Sequence, residues 1–431
     1  MARKRLLSRR HFLKNSAVSA AVAVGFPAIV PSSAFGSESS VAPSNRIVLG
    51  FIGVGKQGRQ SHVASFRGNR EVQIVAVSDA FMPRCHQAVG LVPNGEKCGK
   101  YHDYRQMFDK EKLDAVFVET TCHARVLICI HAMQAGLDVY GEKPLTLTVG
   151  EGRTLVKAVR KYNRILQTGT QQRSMPINMH ASKLVRDGAI GKVHTVLACN
   201  FAGPRRWAGK PAQPVPDGLD WDQWCNQTEL RPYHRDLQFG WANWRAYDGG
   251  GQSWGVTGWG THAYDQVQCG LGTDDSGPLE IWPEGQGANC KVTMRYANGT
   301  LLKLHGARRG MEDLGAIFVG DKGKIEIKRG RYMSNPKELL EGAPEQTPQG
   351  PRESVPHIKN FFDCIRSRGK PNADAETGHR ATTICHLVNI CRELGRKLRW
   401  DPKAEKFTGD DEADKLLSRP RRKGYELPEI G

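Results

Sequence analysis

The sequence predicts two domains of different class, an α/β domain with a doubly wound parallel sheet and then an α+β domain with a mostly antiparallel sheet. From residue 46 to about residue 170, apolar strand-like runs alternate with helix-like segments, which is the pattern of a parallel sheet covered by helices. After Gln171, short strand-like segments follow one another, and Asn298-Gly299 indicates a hairpin between two of them. With 431 residues, 39% of them hydrophobic, the chain is long enough for two cores.

The first 34 residues carry a targeting pattern rather than part of the fold. Ser8-Arg9-Arg10-His11-Phe12-Leu13-Lys14 has the form of a twin-arginine export signal, and a weakly apolar segment, Ala17–Val30, follows it. Ser32-Ser33-Ala34 offers a small-residue cleavage site. We therefore expect residues 1–34 to be a signal peptide, residues 35–45 to be a linker, and the mature protein to be periplasmic or otherwise extracytoplasmic, without a stable membrane anchor.

The net charge of +18 is partly due to this signal. Six basic residues and no acidic residue lie within residues 1–34, so the rest of the chain carries about +12. Its basic residues are interspersed with acidic ones, and no nucleic-acid-binding motif is present, which favours a solvated basic surface over a nucleic-acid partner. None of the eleven cysteines has zinc-site spacing, so no metal is predicted. An exported chain could form disulfides, for instance between Cys85 and Cys98.

The element at Arg46–Asp79 carries the strongest functional pattern. An apolar strand, Ile47–Ile52, leads into Gly53-Val54-Gly55-Lys56-Gln57-Gly58, a complete G-x-G-x-x-G, and a helix-like stretch follows. The glycines allow the turn, the approach of a pyrophosphate and close helix packing, and the N-terminus of the helix attracts anions. Asp79 ends the second strand, where a carboxylate binds ribose hydroxyls and repels a 2′-phosphate. The pattern predicts NAD as the cofactor.

The remaining elements agree with the two-domain division, 46–170 and 171–431. In the first domain, the run Asp114–Val118 is another buried strand, and a short strand at Asp138–Tyr140 leads to Glu142-Lys143-Pro144. In the second domain, we predict five strands and two late helices. The strands are predicted at 193–198, 290–296, 301–305, 316–320 and 324–328, and the helices near 356–367 and 377–395.

Taken together, these motifs resemble the Gfo/Idh/MocA oxidoreductases. The resemblance is carried by the glycine motif, Asp79 and Glu142-Lys143-Pro144, and downstream by Gln171-Gln172-Arg173-Ser174, Gly249-Gly250-Gly251 and Gly260-Thr261-His262-Ala263-Tyr264-Asp265. It covers nearly all of residues 46–431. It implies a Rossmann domain followed by an open-faced antiparallel sheet that carries the substrate site and supports homo-oligomerisation.

The resemblance also implies roles for individual residues. Lys143 matches a lysine that stabilises a developing alkoxide, and His262 matches the general acid or base that exchanges the hydroxyl proton. Without the resemblance, each is as readily a surface lysine or a structural histidine. The expected cofactor-binding residues are Gly53, Gly55, Gln57, Gly58, Asp79, Thr120, His123 and Glu142. The expected substrate-binding residues are Arg125, Arg173, Trp244 and Trp259.

The chain departs from the family pattern near the expected reaction centre. Many members have an aspartate four residues before the histidine, where this chain has Gly258. The Thr-Pro-Asn/Asp segment with a later histidine is here Thr120-Thr121-Cys122, with Arg125 in place of that histidine. We expect Arg125 to lower the pKa of His262 and to favour acidic sugars over neutral ones.

Tryptophan is concentrated in one part of the second domain. Seven of the nine tryptophans lie within 53 residues: Trp207, Trp221, Trp224, Trp241, Trp244, Trp254 and Trp259. Indole faces suit the C–H faces of pyranose rings, and interleaved arginines could bind an acidic sugar. An aromatic core or a subunit interface explains the same cluster equally well.

Three functions remain open. The first is an exported NAD-dependent oxidoreductase that acts on a hydroxyl of a sugar, sugar acid or inositol-like substrate. The second is a glycosidase that uses NAD for transient oxidation and elimination. The third is a non-catalytic sugar-binding protein. Net NADH formation, glycoside cleavage without net NADH, and binding alone distinguish them.

Overall fold

The first sheet is parallel throughout and has the strand order predicted for a doubly wound fold. The computed structural model describes residues 45–251, 255–305, 314–348, 350 and 353–431, so the predicted signal and nearly all of the linker lie outside the described residues. The strands run in the order β3-β2-β1-β4-β5-β6, which reverses between β1 and β4. They are β1 Ile47–Ile52, β2 Val72–Ser78, β3 Gly99–Tyr101, β4 Ala115–Val118, β5 Asp138–Gly141 and β6 Leu166–Thr168.

Helices cover both faces of this sheet. They are α1 Met82–Val89, α2 Tyr104–Lys110, α3 Cys122–Gln134 and α4 Val149–Tyr162, with a 3₁₀ turn at Gly95–Lys97. The stretch after the glycine motif was predicted as a helix. The structure gives it π-helical bonding at Gly58–His62 and a 3₁₀ turn at Val63–Phe66.

The second sheet has nine strands, in the order β13-β12-β11-β7-β10-β9-β8-β14-β15. Only the β7–β10 pair is parallel, and the hairpin predicted at Asn298-Gly299 joins the antiparallel strands β9 and β10. The predicted mostly antiparallel α+β domain is therefore confirmed. The strands are β7 Val193–Cys199, β8 Glu280–Pro283, β9 Val292–Arg295, β10 Leu301–His305, β11 Ala316–Gly320, β12 Gly323–Lys328, β13 Arg331–Asn335, β14 Leu398–Asp401 and β15 Lys406–Phe407.

The helices of this part of the chain pack mainly on one face of the second sheet. Along β12, Ile325 and Ile327 are buried while Lys324 is exposed, as expected for a sheet with one covered face. The helices are α5 Pro176–Arg186, α6 Trp221–Cys225, α7 Arg235–Phe239, α8 Trp259–Leu271, α9 Val355–Ser367, α10 Ala375–Leu394 and α11 Asp411–Asp414. Further 3₁₀ turns lie at Gln171–Ser174, Trp241–Asn243, Lys337–Leu340 and Lys415–Leu417.

Helix α9 follows the second sheet in the chain but packs against the first one. Rings of β1, β4 and β5 stack across that sheet, with 4.9 Å between the centroids of Phe51 and Phe117 and 4.6 Å between those of Phe117 and Tyr140. Phe361 of α9 packs edge-on against Phe117 and Tyr140. The buried core of the first sheet therefore depends on a helix almost 200 residues downstream.

The structure tests the disulfide bond that the sequence suggested. All eleven cysteines are among the described residues and none of them forms a disulfide bond, so the bridge suggested between Cys85 and Cys98 is absent. All of them except Cys290 are buried, which agrees with a role as small apolar side chains.

In the part of the chain that the structure describes, no helix has the length and apolar content needed to cross a bilayer.

Candidate functional site

The glycine motif forms a tight turn whose three glycines have different surroundings. Gly53 has a φ of 85°, and a Cβ there would lie 2.6 Å from the backbone nitrogen of Thr120. A Cβ on Gly58 would lie 2.7 Å from the carbonyl oxygen of Gly53. A Cβ on Gly55 would meet nothing nearer than Arg84 Nη1, at 4.0 Å. The outer two glycines are thus required by packing, while Gly55 faces open space into which a ligand can approach.

That space is a cavity of about 400 Å³ at the carboxyl ends of β1, β2 and β4. Gln57 and Thr120 also line it, as does Asp79. The hydroxyl oxygen of Thr120 is buried and has no hydrogen-bond partner, so a ligand in the cavity has a polar group to engage. The opposite wall comes from α6, α7 and the turn after α7.

Asp79 lies at the end of β2, as predicted. One of its oxygens accepts a hydrogen bond from the backbone N–H of Phe81 at 2.9 Å, and Arg84 Nη1 lies 3.8 Å from the same carboxylate. Burial raises the pKa of Asp79, and the positive charge of Arg84 opposes this shift. The carboxylate is next to the glycine turn, where two ribose hydroxyls can donate to it.

Under the glycine turn lies a buried cluster of His62, Glu119 and Glu142, which sequence analysis recognised only through Glu142. His62 Nδ1 is 2.5 Å from Glu119 Oε1, and Glu119 Oε2 has no partner. Burial lowers the pKa of His62, but the carboxylate of Glu119 outweighs it and the pKa is raised. Burial raises the pKa of Glu119. The three ligand-type atoms lie within 4.8 Å of one another, but His62 and Glu119 are hydrogen-bonded directly to each other, which accounts for their closeness without a metal ion.

The structure brings Lys143 and His262 together beyond the end of β5. Lys143 Nζ lies 3.5 Å from the carbonyl oxygen of Gly258, one turn before His262 on α8. Burial lowers the pKa of Lys143, and nearby Glu142 opposes that shift. Burial, then Arg329 and Lys143, hold the pKa of His262 well below its usual value. His262 Nδ1 is buried without a partner, and the lowered pKa of His262 favours the neutral imidazole beside the Lys143 side chain.

Asp248 is a third member of this centre that the sequence analysis did not identify. It is fully buried, its Oδ1 accepts a short hydrogen bond from the Thr257 hydroxyl, and its Oδ2 has no partner. Burial raises its pKa to about 6, against the charges of Arg125 and Lys143. A Cβ on Gly251 would lie 2.7 Å from Oδ2. The centre therefore has a carboxylate although Gly258 has none, and the signal for it was an aspartate directly before three glycines.

Arg125 does not have the surroundings that we predicted. Its two Nη groups donate short hydrogen bonds to the carbonyl oxygens of Pro144 and Thr120. It is buried, so its guanidinium fixes the backbone on either side of the reaction centre. The cation that lowers the pKa of His262 is Arg329 rather than Arg125. Arg329 follows β12 directly and pairs with Glu353 at 2.9 Å.

Arg173 and His123, which were predicted to bind substrate and cofactor, are also held by protein groups. Arg173 Nε donates to both oxygens of Asp265, and its Nη groups pair with Asp274 at 2.6 and 2.8 Å. His123 Nε2 donates to the carbonyl oxygen of Trp224 at 2.8 Å, and burial lowers the pKa of His123 to about 4. Neither side chain lines the cavity.

The tryptophan cluster is mainly a small separate core. Trp221 and Trp224 stack with centroids 4.6 Å apart, and Trp244 Nε1 donates to the carbonyl oxygen of Asp236 at 2.8 Å. Trp259 starts α8 and packs, half-buried, against the core of the second domain. Trp254 lies outside the described residues. The aromatic-core interpretation thus accounts for most of the cluster, while Trp224 and Trp241 also line the cavity.

The residues of the cavity fit a dinucleotide. The open Gly55 backbone, the unpartnered Thr120 hydroxyl and the Asp79 carboxylate provide, in turn, room for a pyrophosphate, a hydrogen-bonding group and a ribose acceptor.

Comparison with known proteins agrees with this geometry. Residues 47–170 match the sequence model described as "Oxidoreductase family, NAD-binding Rossmann fold", and residues 176–427 match "Oxidoreductase family, C-terminal alpha/beta domain", both of the Gfo/Idh/MocA group. A curated relative, glycosyl hydrolase family 109 protein 1 of Shewanella sp. (strain MR-4), is 26% identical over 204 residues, 43% of this chain and 44% of that protein. The chain thus matches less than half of the length of this relative.

Solved structures show the same fold. The aldose-aldose oxidoreductase of Caulobacter crescentus, complexed with glycerol, superposes with a TM-score of 0.57 at 19% identity, over 82% of this chain and 99% of that one. The WlbA dehydrogenase of Bordetella pertussis, in complex with NADH and UDP-GlcNAcA, has a TM-score of 0.58 at 14% identity, over 83% and 98%. At these identities the likeness establishes the fold alone.

Proposed function

Because the chain belongs to the Gfo/Idh/MocA oxidoreductase family, whose first domain here is an NAD-binding Rossmann fold, we propose that it oxidises or reduces a carbohydrate hydroxyl by hydride transfer. The substrate class is a sugar, a sugar acid or an inositol-like polyol. The observation that carries this proposal is that Lys143 lies near enough to His262 to lower its pKa, while His262 Nδ1 has no partner. Hydroxyl oxidation needs both a cation and a proton acceptor.

Each group of the centre has a defined task in this proposal. Bound NAD supplies the hydride acceptor. Lys143 stabilises the negative charge that develops on the substrate oxygen, and His262 takes the hydroxyl proton at its unpartnered Nδ1. Glu142 and, after it, Asp248 supply negative charge that opposes the burial-driven fall in the pKa of Lys143.

The carbohydrate part of the proposal draws on the structural neighbours. An aldose-aldose oxidoreductase and a dehydrogenase complexed with UDP-GlcNAcA share the fold. Arg329, which faces His262 and is only partly neutralised by Glu353, adds positive charge to the region. This supports an acidic sugar as readily as a neutral one.

The test is to incubate the purified NAD-loaded protein with aldoses, myo-inositol and uronic acids and to follow NADH by absorbance and fluorescence. We expect NADH to form with at least one of these sugars in the wild type and with none in Lys143→Met. If no sugar, including UDP-linked sugars, changes the redox state of the cofactor while sugars still bind, the protein is a binding protein and the proposal is wrong.

A second candidate is an NAD-dependent glycosidase, which oxidises a sugar hydroxyl transiently, eliminates the glycoside and returns the hydride. It is supported by the matched glycosyl hydrolase family 109 relatives and by the cavity having walls on two sides. Incubation of the protein with an aryl glycoside distinguishes the glycosidase from the dehydrogenase. Release of the aryl alcohol with no net NADH favours the glycosidase, and NADH without release favours the dehydrogenase.

We also propose that the protein is exported by the twin-arginine route, on the basis of Arg9 and Arg10 in the sequence pattern described above. Changing both to lysine is expected to retain the full-length precursor inside the cell. The measurement is cell fractionation and immunoblotting of the wild type and the variant. Equal processing of both forms would contradict this proposal.

A further inference from the structure

The cofactor cavity has a second wall that comes from outside the dinucleotide-binding domain. We call residues 218–241 the covering segment; its residues that line the cavity are Gln223, Trp224, Asn226, Gln238, Phe239 and Trp241. We propose that the covering segment is part of the cofactor site, that Gln238 donates a hydrogen bond to bound NAD, and that the segment retains the cofactor between turnovers. The inference rests on the proposed function only in taking NAD as the occupant.

Gln238 supplies the most specific observation. Its side chain is 1% exposed and lines the cavity. Its Oε1 accepts a hydrogen bond from the hydroxyl of Tyr233 at 2.8 Å, which fixes the orientation of the amide, and its Nε2 has no partner. A buried amide donor without a partner is unfavourable unless a ligand accepts a hydrogen bond from it. The ribose oxygens and adenine nitrogens of NAD are acceptors of the kind that this donor needs.

The aromatic residues of the covering segment add an apolar wall opposite the glycine turn. Trp224 belongs to the buried aromatic core, so its position is fixed by packing. Phe239, by contrast, is 57% exposed although it borders the cavity. The guanidinium of Arg84 lies 6.0 Å from the centroid of the Phe239 ring and 3.8 Å from the Asp79 carboxylate. Arg84 thus links the covering segment to the ribose-binding side of the cavity.

The first part of the covering segment is fastened to the first domain by hydrogen bonds. At its start, the backbone N–H of Met82 donates to Gly218, and the N–H of Asp220 donates to Ala80, both at 2.8 Å. Further along, His123 donates to the carbonyl oxygen of Trp224. Residues 218–224 cannot move away from the cavity without breaking these bonds together. Gln238 and Phe239 follow on the same segment, so we expect cofactor release to be slow.

Retention has a consequence for the reaction class. A cofactor that stays bound is not regenerated by exchange with free NAD. It suits a redox-neutral reaction, in which the hydride and the hydroxyl proton taken from a carbinol are returned to the carbonyl of the same sugar or of a second one. The electrons then balance without an external oxidant, as they do in the glycosidase candidate.

Exchange of labelled cofactor tests the inference without any sugar substrate. The protein is loaded with radiolabelled NAD, mixed with excess unlabelled NAD, and the label that remains bound is followed by rapid gel filtration. Wild-type protein is expected to exchange slowly, and Gln238→Leu about tenfold faster, which corresponds to about 1.4 kcal/mol. Gln238→Glu, which keeps the acceptor for Tyr233 but lacks the donor, is expected to behave as Gln238→Leu does.

Phe239→Ala provides a variant whose folding is not in question, because the side chain is mostly exposed; we expect faster exchange there as well. Trp282→Ala, at a half-buried tryptophan on β8 away from the cavity, is the matched control and is expected to exchange like the wild type. Exchange in the wild type as fast as in Gln238→Leu and Phe239→Ala would overturn the inference. Slow exchange without reaction on any sugar would instead count against the proposed function alone.

Discussion

The hydroxyl of Thr257 donates a hydrogen bond to one carboxylate oxygen of Asp248 and leaves the other oxygen of that buried group without a partner. Thr257 adjoins Gly258, whose carbonyl oxygen is 3.5 Å from Lys143 Nζ. A carboxylate and a lysine are therefore held on either side of one short turn. The glycine at 258 is not evidence of a lost acid, because the chain places one there from a different position.

Asp248→Asn is expected to lower turnover about tenfold or more, because Lys143 loses one of the two carboxylates, Glu142 and Asp248, that favour its protonated form. Burial raises the pKa of Asp248 to about 6, so the carboxylate is ionised above that pH and protonated below it. Wild-type activity should therefore fall as the pH drops through about 6, and this limb should be absent from Asp248→Asn. The measurement is kcat against pH. An identical pH profile in both proteins would exclude the role.

The same substitution is expected to stabilise the protein at neutral pH. The folded pKa of Asp248 lies above its ordinary value of 3.8, so burying the ionised form costs stability above pH 6, and that cost decreases as the pH falls toward the unfolded value. A shift of this size corresponds to at most about 3 kcal/mol. Urea unfolding at pH 7.5 should show a more stable variant. A less stable variant would indicate that Asp248 serves structure rather than catalysis.

Lys143→Met is expected to reduce turnover by a factor of about 10²–10³ while NAD binding changes little, since one preorganised donor to a developing oxyanion contributes about 2.7–4 kcal/mol. The affinity is measured by quenching of tryptophan fluorescence with NAD, and turnover by the assay described above. Lys183→Met, at an exposed lysine of α5, is the control. If turnover in Lys143→Met equals that of the wild type, Lys143 has no catalytic role.

Arg329→Met is expected to raise the pKa of His262, because Arg329 is the main charged group that lowers it after burial itself. Raising that pKa protonates the histidine at a higher pH. The fall in activity that is due to protonation of His262, the acidic limb of the profile, should therefore move to a higher pH. The other charged groups near His262 are Lys143 and His357, and Glu353 pairs with Arg329. Arg329→Lys keeps the charge and should keep the limb in place. A limb that moves equally in both variants would argue against the electrostatic explanation.

Asp79→Ser combined with Ala80→Arg is expected to shift cofactor preference from NAD toward NADP, because a repelling carboxylate is replaced by a partner for the 2′-phosphate. Arg84 lies 3.8 Å from Asp79 and would add to the new site. The measurement is the ratio of the two dissociation constants in the wild type and the variant. Equal affinity of the wild type for NAD and NADP would refute the role of Asp79.

Local sequence patterns predicted most of the strands, because the apolar run that marks a strand can be recognised within a few residues. The runs at 301–305 and 316–320 were predicted with the bounds that the structure gives them. Strand β13 (Arg331–Asn335), the short strands near the C-terminus and β8 were missed. Those strands carry charged or aromatic residues and lie toward the two ends of the sheet. Whether they form depends on pairing with strands from distant parts of the chain.

Sequence analysis predicted the site less completely than the fold, because the spacing of residues along the chain does not show which groups pair with a buried charge. Lys143 and His262 follow recognisable motifs. Whether an arginine is free depends on groups far along the chain, such as Asp265 for Arg173 or the carbonyl of Pro144 for Arg125. Asp248 precedes a run of three glycines, but its place in the site, like that of Gln238, follows only from the structure, where each has a buried polar atom without a hydrogen-bond partner.

The position of helix α9 affects how the protein is synthesised. Phe361 completes the aromatic layer formed by Phe117 and Tyr140, so during translation the nucleotide-binding half leaves an apolar face uncovered until residue 367 or so has been added. A fragment that ends near residue 170 would expose that face to water and is expected to aggregate. We therefore expect the nucleotide-binding half to reach its folded state only after helix α9 has been synthesised.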